Sequence, residues 1–253
     1  MFELCIPARN EGLIIQDVLR RLTKSLADLD MDVQITVAVN GTTDDTLQRI
    51  NEYRIPKVGQ VLSGIRYSAQ RTFSAADIRV LECPEAGKGA AIRFAAQKSQ
   101  ADIFGFIDAD LSADPEMVAT MVKILLEGKA DVVVGSRLID VKTTNRNWLR
   151  TMSSRLFNLA AKVLLDIQVK DAQCGLKVMN KKAREILIGT KEPGWFMDIE
   201  FLAKVVQDKL AIVEVPVPWI EYRYVGRKSQ LSMLKDGIGS SLQAMMRIRR
   251  RMS

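Results

Sequence analysis

The chain has 253 residues, 47% of them apolar, which is enough to bury a substantial core within one large domain. It carries a net charge of +7 and no histidine, which excludes histidine triads, histidine general bases and the usual zinc-hydrolase ligand sets. Carboxylates, cations and metal are left to carry any catalysis, and three widely spaced cysteines, Cys5, Cys83 and Cys174, with no CxxC pair point to a reducing, cytoplasmic setting.

The opening MFELCIPARN lacks the charged start and apolar run of a secretory signal and reads as a strand from the outset. FELCIPA is followed by a helical period over 13–29, then VQITVAV, a helix near Asp45, DIRVLEC, a helix over 90–98, DIFGFID, a helix over 115–126 and DVVVG. This alternation of β-rich runs and helical periods predicts a doubly wound, mostly parallel α/β sheet. Between Tyr53 and Asp77 a polar stretch without period is expected to be an insertion loop. No run approaches the roughly 18 apolar residues that a membrane-crossing helix needs.

Further along, Leu149, Met152, Leu156, Leu159, Val163 and Ile167 recur at helical spacing with Arg150, Arg155 and Lys162 between them. The pattern fits equally a helix packed on a core and one lying at a membrane interface. Leu231, Leu234, Ile238, Leu242 and Met245, followed by RIRRR, suggest a basic amphipathic end. The expected organisation is therefore a catalytic domain over 1–222 and a basic tail over 223–253. In that tail Arg223, Arg227, Lys228, Lys235, Arg247, Arg249, Arg250 and Arg251 face only Asp236. An anionic partner is expected, and the lack of a nucleic-acid motif or of aromatic interleaving argues against nucleic acid.

In an open parallel sheet, ligands bind beyond the carboxyl ends of the strands. The successive strand ends here are Arg9-Asn10-Glu11, Asn40-Gly41-Thr42-Thr43-Asp44, Glu85-Ala86-Gly87-Lys88-Gly89 and Asp108-Ala109-Asp110. All are polar or glycine-rich. Neither GxGxxG nor GxxxxGK[ST] is present, so phosphates must be held by other means. Two aspartates one residue apart on a sharply turning strand end suit a hard divalent cation, Mg2+ or Mn2+, which in turn bridges a diphosphate.

These residues carry a resemblance. PARNE, NGTTDDT, GKGAAIR, DADLSADP, GSR at 135–137, the RxxxS of Arg150 to Ser154, DAQCGLK, WFMDIEF and EVPVPW occur in the order and spacing of GT-A glycosyltransferases. Among these, the chain resembles the polyprenyl-phosphate (dolichyl-phosphate) mannosyl- and glucosyltransferases over almost its whole length. It differs at Val39-Asn40, where relatives often carry two acidic residues, at Ser112, where glutamine is common, and at Ser229-Gln230 in place of Ser-Lys. The resemblance implies a nucleotide-sugar site at Pro7, Arg9, Glu11, Asn40, Lys88, Asp108 and Ala109, and a metal site at Asp108 and Asp110 with Ser112 beside it. It further implies catalytic roles for Asp110, Arg137 and Arg150, and an acceptor-phosphate site at Arg137, Arg150, Lys177, Arg227 and Lys228.

The implied reaction moves a hexose, with inversion, from a nucleotide-diphosphate sugar to a polyprenyl phosphate at the cytoplasmic face of a membrane, with a membrane-protein partner as one route of recruitment. A phosphate monoester acceptor is already charged near neutral pH, its second pKa being about 6, and needs no strong base. A sugar hydroxyl as acceptor would need a carboxylate base, for which Asp198 or Glu200 are the candidates; the alternative reading is a related GT-A glycosyltransferase acting on a soluble sugar or small phosphorylated acceptor.

Overall fold

The computed structural model describes residues 1–55, 73–74, 77–139, 144–145, 148–220 and 238–252, with backbone alone for 144–145, 148–155 and 238. Most of the expected insertion over 53–77 lies outside the described residues, as do Arg227, Lys228, Leu231, Leu234 and the side chain of Arg150.

The first half alternates as its sequence period demands. Strand β1 (Phe2–Ala8) leads to α1 (Ile15–Ser25), β2 (Val33–Asn40), α2 (Thr46–Arg54), β3 (Ile78–Cys83), α3 (Lys88–Lys98), β4 (Ile103–Ile107), α4 (Met117–Leu126) and β5 (Val132–Ser136). The second half adds β6 (Thr144–Asn145), α5 (Trp148–Leu165), β7 (Leu176–Asn180), α6 (Lys181–Ile188), α7 (Met197–Gln207), β8 (Ile212–Pro216), β9 (Trp219–Ile220) and α8 (Ile238–Met252). Helix α1 is shorter than its sequence period suggests, because Leu13 points to solvent while Ile15, Val18, Leu19 and Leu22 are buried.

The main sheet has seven strands in the order β3-β2-β1-β4-β7-β5-β8. All neighbours are parallel except β7, which runs antiparallel to both β4 and β5. The fold is thus an α/β, mostly parallel mixed sheet, as the alternation predicts. Alternation along β1 sends Phe2, Leu4 and Ile6 to the layer made by α1, α2 and α4, and Cys5 to the layer made by α3, α5, α6, α7 and α8. Both faces are covered, which is why the central strands are largely apolar, and the buried Glu3 of β1 accepts from the Thr36 hydroxyl of β2 at 2.6 Å.

From β1 the chain steps outward through β2 to β3, then returns to place β4 on the other side of β1. Strand order therefore reverses between β1 and β4, the position at which doubly wound sheets open a ligand crevice. The antiparallel course of β7 has a local consequence. Leu176 at its start pairs with Ile107 at the end of β4, so the segment before β7 lands on the same crevice.

Helix α8 forms the 238–252 part of the expected basic tail and packs on the sheet's second layer. Ala244, Met245 and Ile248 are buried in the layer that also holds α5 and α7. Arg247 and Arg251 both pair with the buried carboxylate of Glu192, at 2.8 and 2.9 Å. Ala244, Met245 and Ile248 recur at helical spacing, so one side of the helix packs into that layer.

Candidate active site

The loops after β1 and β2 are knitted into one floor. The Asn10 side chain accepts from the Thr43 N–H at 2.8 Å, the Glu11 N–H donates to Thr46 Oγ1 at 2.8 Å and the Gly12 N–H donates to Asp44 Oδ2 at 3.0 Å. Burial pushes the Asp44 carboxyl up, but the Thr46 hydroxyl and the N–H groups of Thr46 and Gly12 outweigh it and hold the group below its ordinary range. Asp44 is therefore a brace, and a role not readable from NGTTDDT alone. Of the expected nucleotide contacts on this floor, Pro7 is half-buried, Arg9 is exposed and Glu11 is buried.

Asn40, at the end of β2, reaches sideways and donates from Nδ2 to the Gly87 carbonyl at 2.6 Å. Gly87 has φ 128°, and a Cβ there would lie 2.2 Å from the Pro193 carbonyl oxygen, so the turn requires glycine. Pro193 in turn accepts from the Ala90 N–H at 2.9 Å. Tertiary contact thus starts α3 at Lys88, two residues before its apolar period begins.

Lys88 extends from that helix start into the crevice. Its Nζ lies 2.8 Å from Asp108 and 3.5 Å from Asp198, and 4.9 Å from the Trp195 ring centroid. Asp198 also accepts from Lys177 Nζ at 2.6 Å, and Lys177 donates again to the Cys174 carbonyl at 2.7 Å. A row of alternating charge, Asp108, Lys88, Asp198, Lys177, therefore runs from the crevice into the interior. Burial alone would discharge Lys88 and Asp198, but the opposite charges on each side keep Lys88 protonated above, and Asp198 ionised below, their ordinary ranges.

Asp108 stands at the open end of this row, and its carboxyl is pushed up by burial and by the neighbouring charge of Asp110, against the pull of Lys88. Gly175 makes room for it: a Cβ on Gly175 would lie 1.9 Å from Asp108 Oδ2. Its carbonyl also accepts the Asp108 N–H at 3.1 Å. The next residues turn sharply, with Leu111 at φ 46° and the Ser112 N–H donating to Asp110 Oδ1 at 3.0 Å. A non-glycine residue in the left-handed region is strained, and the buried Leu111 side chain anchors it. Ala109 is buried between the two aspartates.

Two carboxylates at the end of one strand, one of them raised by burial and by the other, form a donor set that a hard divalent cation relieves. No cluster of three or more metal-capable side chains occurs among the described residues. Ser112 meets Asp110 through its backbone N–H, and its side chain is buried.

Several expected phosphate contacts have other engagements. Arg137, following β5, donates from Nε and Nη2 to the two oxygens of buried Asp171, each at 2.6 Å, and its guanidinium lies 4.7 Å from the Trp219 ring centroid. Burial opposes the charge on both, yet their pairing keeps Arg137 above and Asp171 below their ordinary values. Lys177, expected at the acceptor phosphate, is fully buried in its contacts with Asp198 and Cys174.

The candidate bases are also committed. Asp198 lies between two ammonium groups, and Glu200 is buried where its Oε2 accepts from the N–H groups of Lys191 and Glu192 at 2.8 and 2.7 Å. Glu200 shapes the loop that carries Pro193 and Trp195. Asp171, Gly175 and Trp195 lie in DAQCGLK and WFMDIEF, but their tasks depend on partners that no local pattern marks.

Relatives match over most of the chain. It is 27% identical over 85% of its length to the glycosyltransferase AglD of Haloferax volcanii, of which it covers 32%. It is 26% identical over 85% of its length to a dolichyl-phosphate beta-glucosyltransferase of Dictyostelium discoideum, of which it covers 65%. It is also 26% identical over 78% of its length to an undecaprenyl-phosphate 4-deoxy-4-formamido-L-arabinose transferase of Pseudomonas syringae, of which it covers 52%. The chain thus spans between about a third and two thirds of the length of these relatives. Glucosyl-3-phosphoglycerate synthase from Mycobacterium tuberculosis superimposes with a TM-score of 0.68 at 21% identity, covering 98% of this chain and 79% of that one, and shares its GT-A fold. The family model for Glycosyl transferase family 2 matches residues 3–187, a span that holds the knitted floor, the Lys88 helix start, the Asp108–Asp110 turn and the Asp171–Gly175 loop, and the chain belongs to that family.

Proposed function

We propose that this chain transfers a hexose from a nucleotide-diphosphate sugar to a polyprenyl phosphate, with inversion at the anomeric carbon. The observation that carries the choice of acceptor is the engagement of the two carboxylates that a hydroxyl acceptor would use as bases. Asp198 is held by Lys177 and Lys88, and Glu200 by two backbone N–H groups. The chain has no histidine to replace them. A phosphate monoester brings its own charged oxygen, because its second pKa is about 6. The names of the dolichyl- and undecaprenyl-phosphate relatives support the same acceptor class.

In this reading Asp110 and Asp108 would hold Mg2+ or Mn2+, which would supply charge neutralisation for the leaving diphosphate without proton transfer. Solved members of the fold include complexes of glucosyl-3-phosphoglycerate synthase with Mn2+ and UDP, which support a divalent ion in this architecture. An acceptor phosphate oxygen attacks the anomeric carbon, the bond from that carbon to the diphosphate breaks, and nucleoside diphosphate leaves. Pro7, Arg9 and Glu11 line the nucleotide end, and the Asn40–Gly87 bond fixes the height of the phosphate-facing loop. Lys88, charged between Asp108 and Asp198, serves the donor diphosphate or sugar. Arg150, Arg227 and Lys228 remain the proposed acceptor clamps, and Arg137, held by Asp171, orients the chain after β5.

The test is a panel of nucleotide sugars with Mn2+ and a short-chain polyprenyl phosphate, scored for lipid-linked sugar. Transfer to the lipid phosphate is expected from at least one donor. Transfer only to a soluble sugar or a small phosphorylated acceptor would replace this reading with the related GT-A activity.

A further inference from the structure

Helices α5 and α8 lie against each other on the outside of the second core layer. Their inward residues Ala161, Leu165, Ala244, Met245 and Ile248 are buried. Their outward residues are turned to solvent: Leu156 is 50% exposed, Leu159 57%, Val163 72%, Leu242 37% and Met246 45%. Scattered apolar residues on a surface need no account, but five large ones on two adjoining helices do. The same helices carry Arg150, Arg155 and Lys162 on α5 and Arg247, Arg249, Arg250 and Arg251 on α8, and neither contains an aspartate or a glutamate. Arg247 and Arg251 serve Glu192, while Lys162 and Arg250 are exposed beside the apolar residues.

From this juxtaposition we propose that the α5–α8 face docks this protein onto the headgroup layer of an anionic bilayer. Apolar side chains that enter the acyl boundary, flanked by cations with no acids among them, are the physical requirement for an interfacial helix, and the charge selects the anionic surface over a neutral one. No described helix is long and apolar enough to cross the bilayer, so the contact is lateral. The face is also wired to the site. Asn158, on α5, accepts the Ala172 N–H at 3.1 Å, next to Asp171, which holds Arg137, and the same loop ends at Gly175 under Asp108. Through this contact docking would present the crevice to an acceptor held in the lipid layer. That last consequence rests on the polyprenyl-phosphate reading; docking itself does not.

The experiment is sedimentation of the full chain with vesicles of phosphatidylcholine alone, or mixed with phosphatidylglycerol, containing no polyprenyl phosphate. Binding to the anionic vesicles, weakened by salt, is expected, with little binding to the neutral ones. The double variant Leu159→Glu/Val163→Glu should bind at least tenfold more weakly, and Lys162→Ser/Arg250→Ser about fivefold more weakly per cation removed. All four side chains are exposed, and unchanged circular dichroism would verify the fold. Equal binding by the glutamate variant, or equal binding of the wild type to both vesicle types, overturns the proposal. So does a shift from dimer to monomer in that variant with vesicle binding intact, because the face would then join two copies. Since the vesicles hold no acceptor, failure of the proposed transfer reaction leaves this result unaffected.

Discussion

Gly175→Ala tests whether the geometry around Asp108 governs activity. The new Cβ would lie 1.9 Å from Asp108 Oδ2 and 2.3 Å from its Cγ. Ordinary carbon–oxygen contacts are about 3.2 Å or more, so the carboxylate must move by over roughly 1 Å, and a displacement of that size at a reacting centre costs on the order of 100-fold in rate. The move also breaks the 2.8 Å contact with Lys88. Overpacking of this kind costs about 1–3 kcal/mol of stability, and in a chain of this size about 2–4 °C of Tm for each kcal/mol. The variant should therefore fold, melt a few degrees to about 10 °C lower, and lose about 100-fold or more in kcat. The assay is release of nucleoside diphosphate with Mn2+ and polyprenyl phosphate, alongside thermal unfolding. In Asp108→Ala/Gly175→Ala the clash is absent, so much of the lost stability should return and the activity should not. Activity of Gly175→Ala within threefold of wild type would refute the reasoning, since it would mean that Asp108 need not hold its position.

Other outcomes follow from the same contacts. Asp110→Asn should abolish transfer with the fold intact, and chelation by EDTA should do the same; near-wild-type turnover at saturating Mn2+ or Mg2+ would remove Asp110 from the metal site. Arg137→Ala leaves Asp171 buried without its bidentate partner, so a stability loss of about 3–5 kcal/mol is expected in urea denaturation, and a loss under about 1 kcal/mol would contradict the pairing. The Glu192 carboxyl is held below its ordinary range by the Arg247 hydrogen bond and the charge of Arg251. Its folded pKa thus lies under its unfolded value of about 4.3, so its contribution is complete above that pH and fades as pH falls toward the folded pKa. Amide exchange in α8 should accelerate on acidification in the wild type, and Glu192→Gln should show the faster exchange already at pH 7; identical profiles would show that the contact does not hold the helix.

The sequence determined what depends on local pattern. Apolar alternation and helical period gave the αβ order through β5, and the position of polar residues at strand ends marked Asn10, Asn40, Lys88, Asp108 and Asp110 as crevice residues, because each strand of a parallel sheet ends on the same edge. Motif order carried the family. Tertiary structure decided what depends on partners far apart in the chain. The antiparallel insertion of β7 brings Gly175 against Asp108 and sets Lys177 beside Asp198, a pairing across 21 residues with no periodic signature. The same long-range packing decided that Glu200 holds a loop, and that Arg137 answers Asp171 34 residues away. It also split the apolar stripe of α8: a one-dimensional hydrophobic pattern cannot say which residues meet the core, and only the placement of α5 beside it buries Met245 while leaving Leu242 and Met246 in solvent. A residue's chemistry is written locally, but burial and charge pairing are properties of the neighbours that the fold supplies.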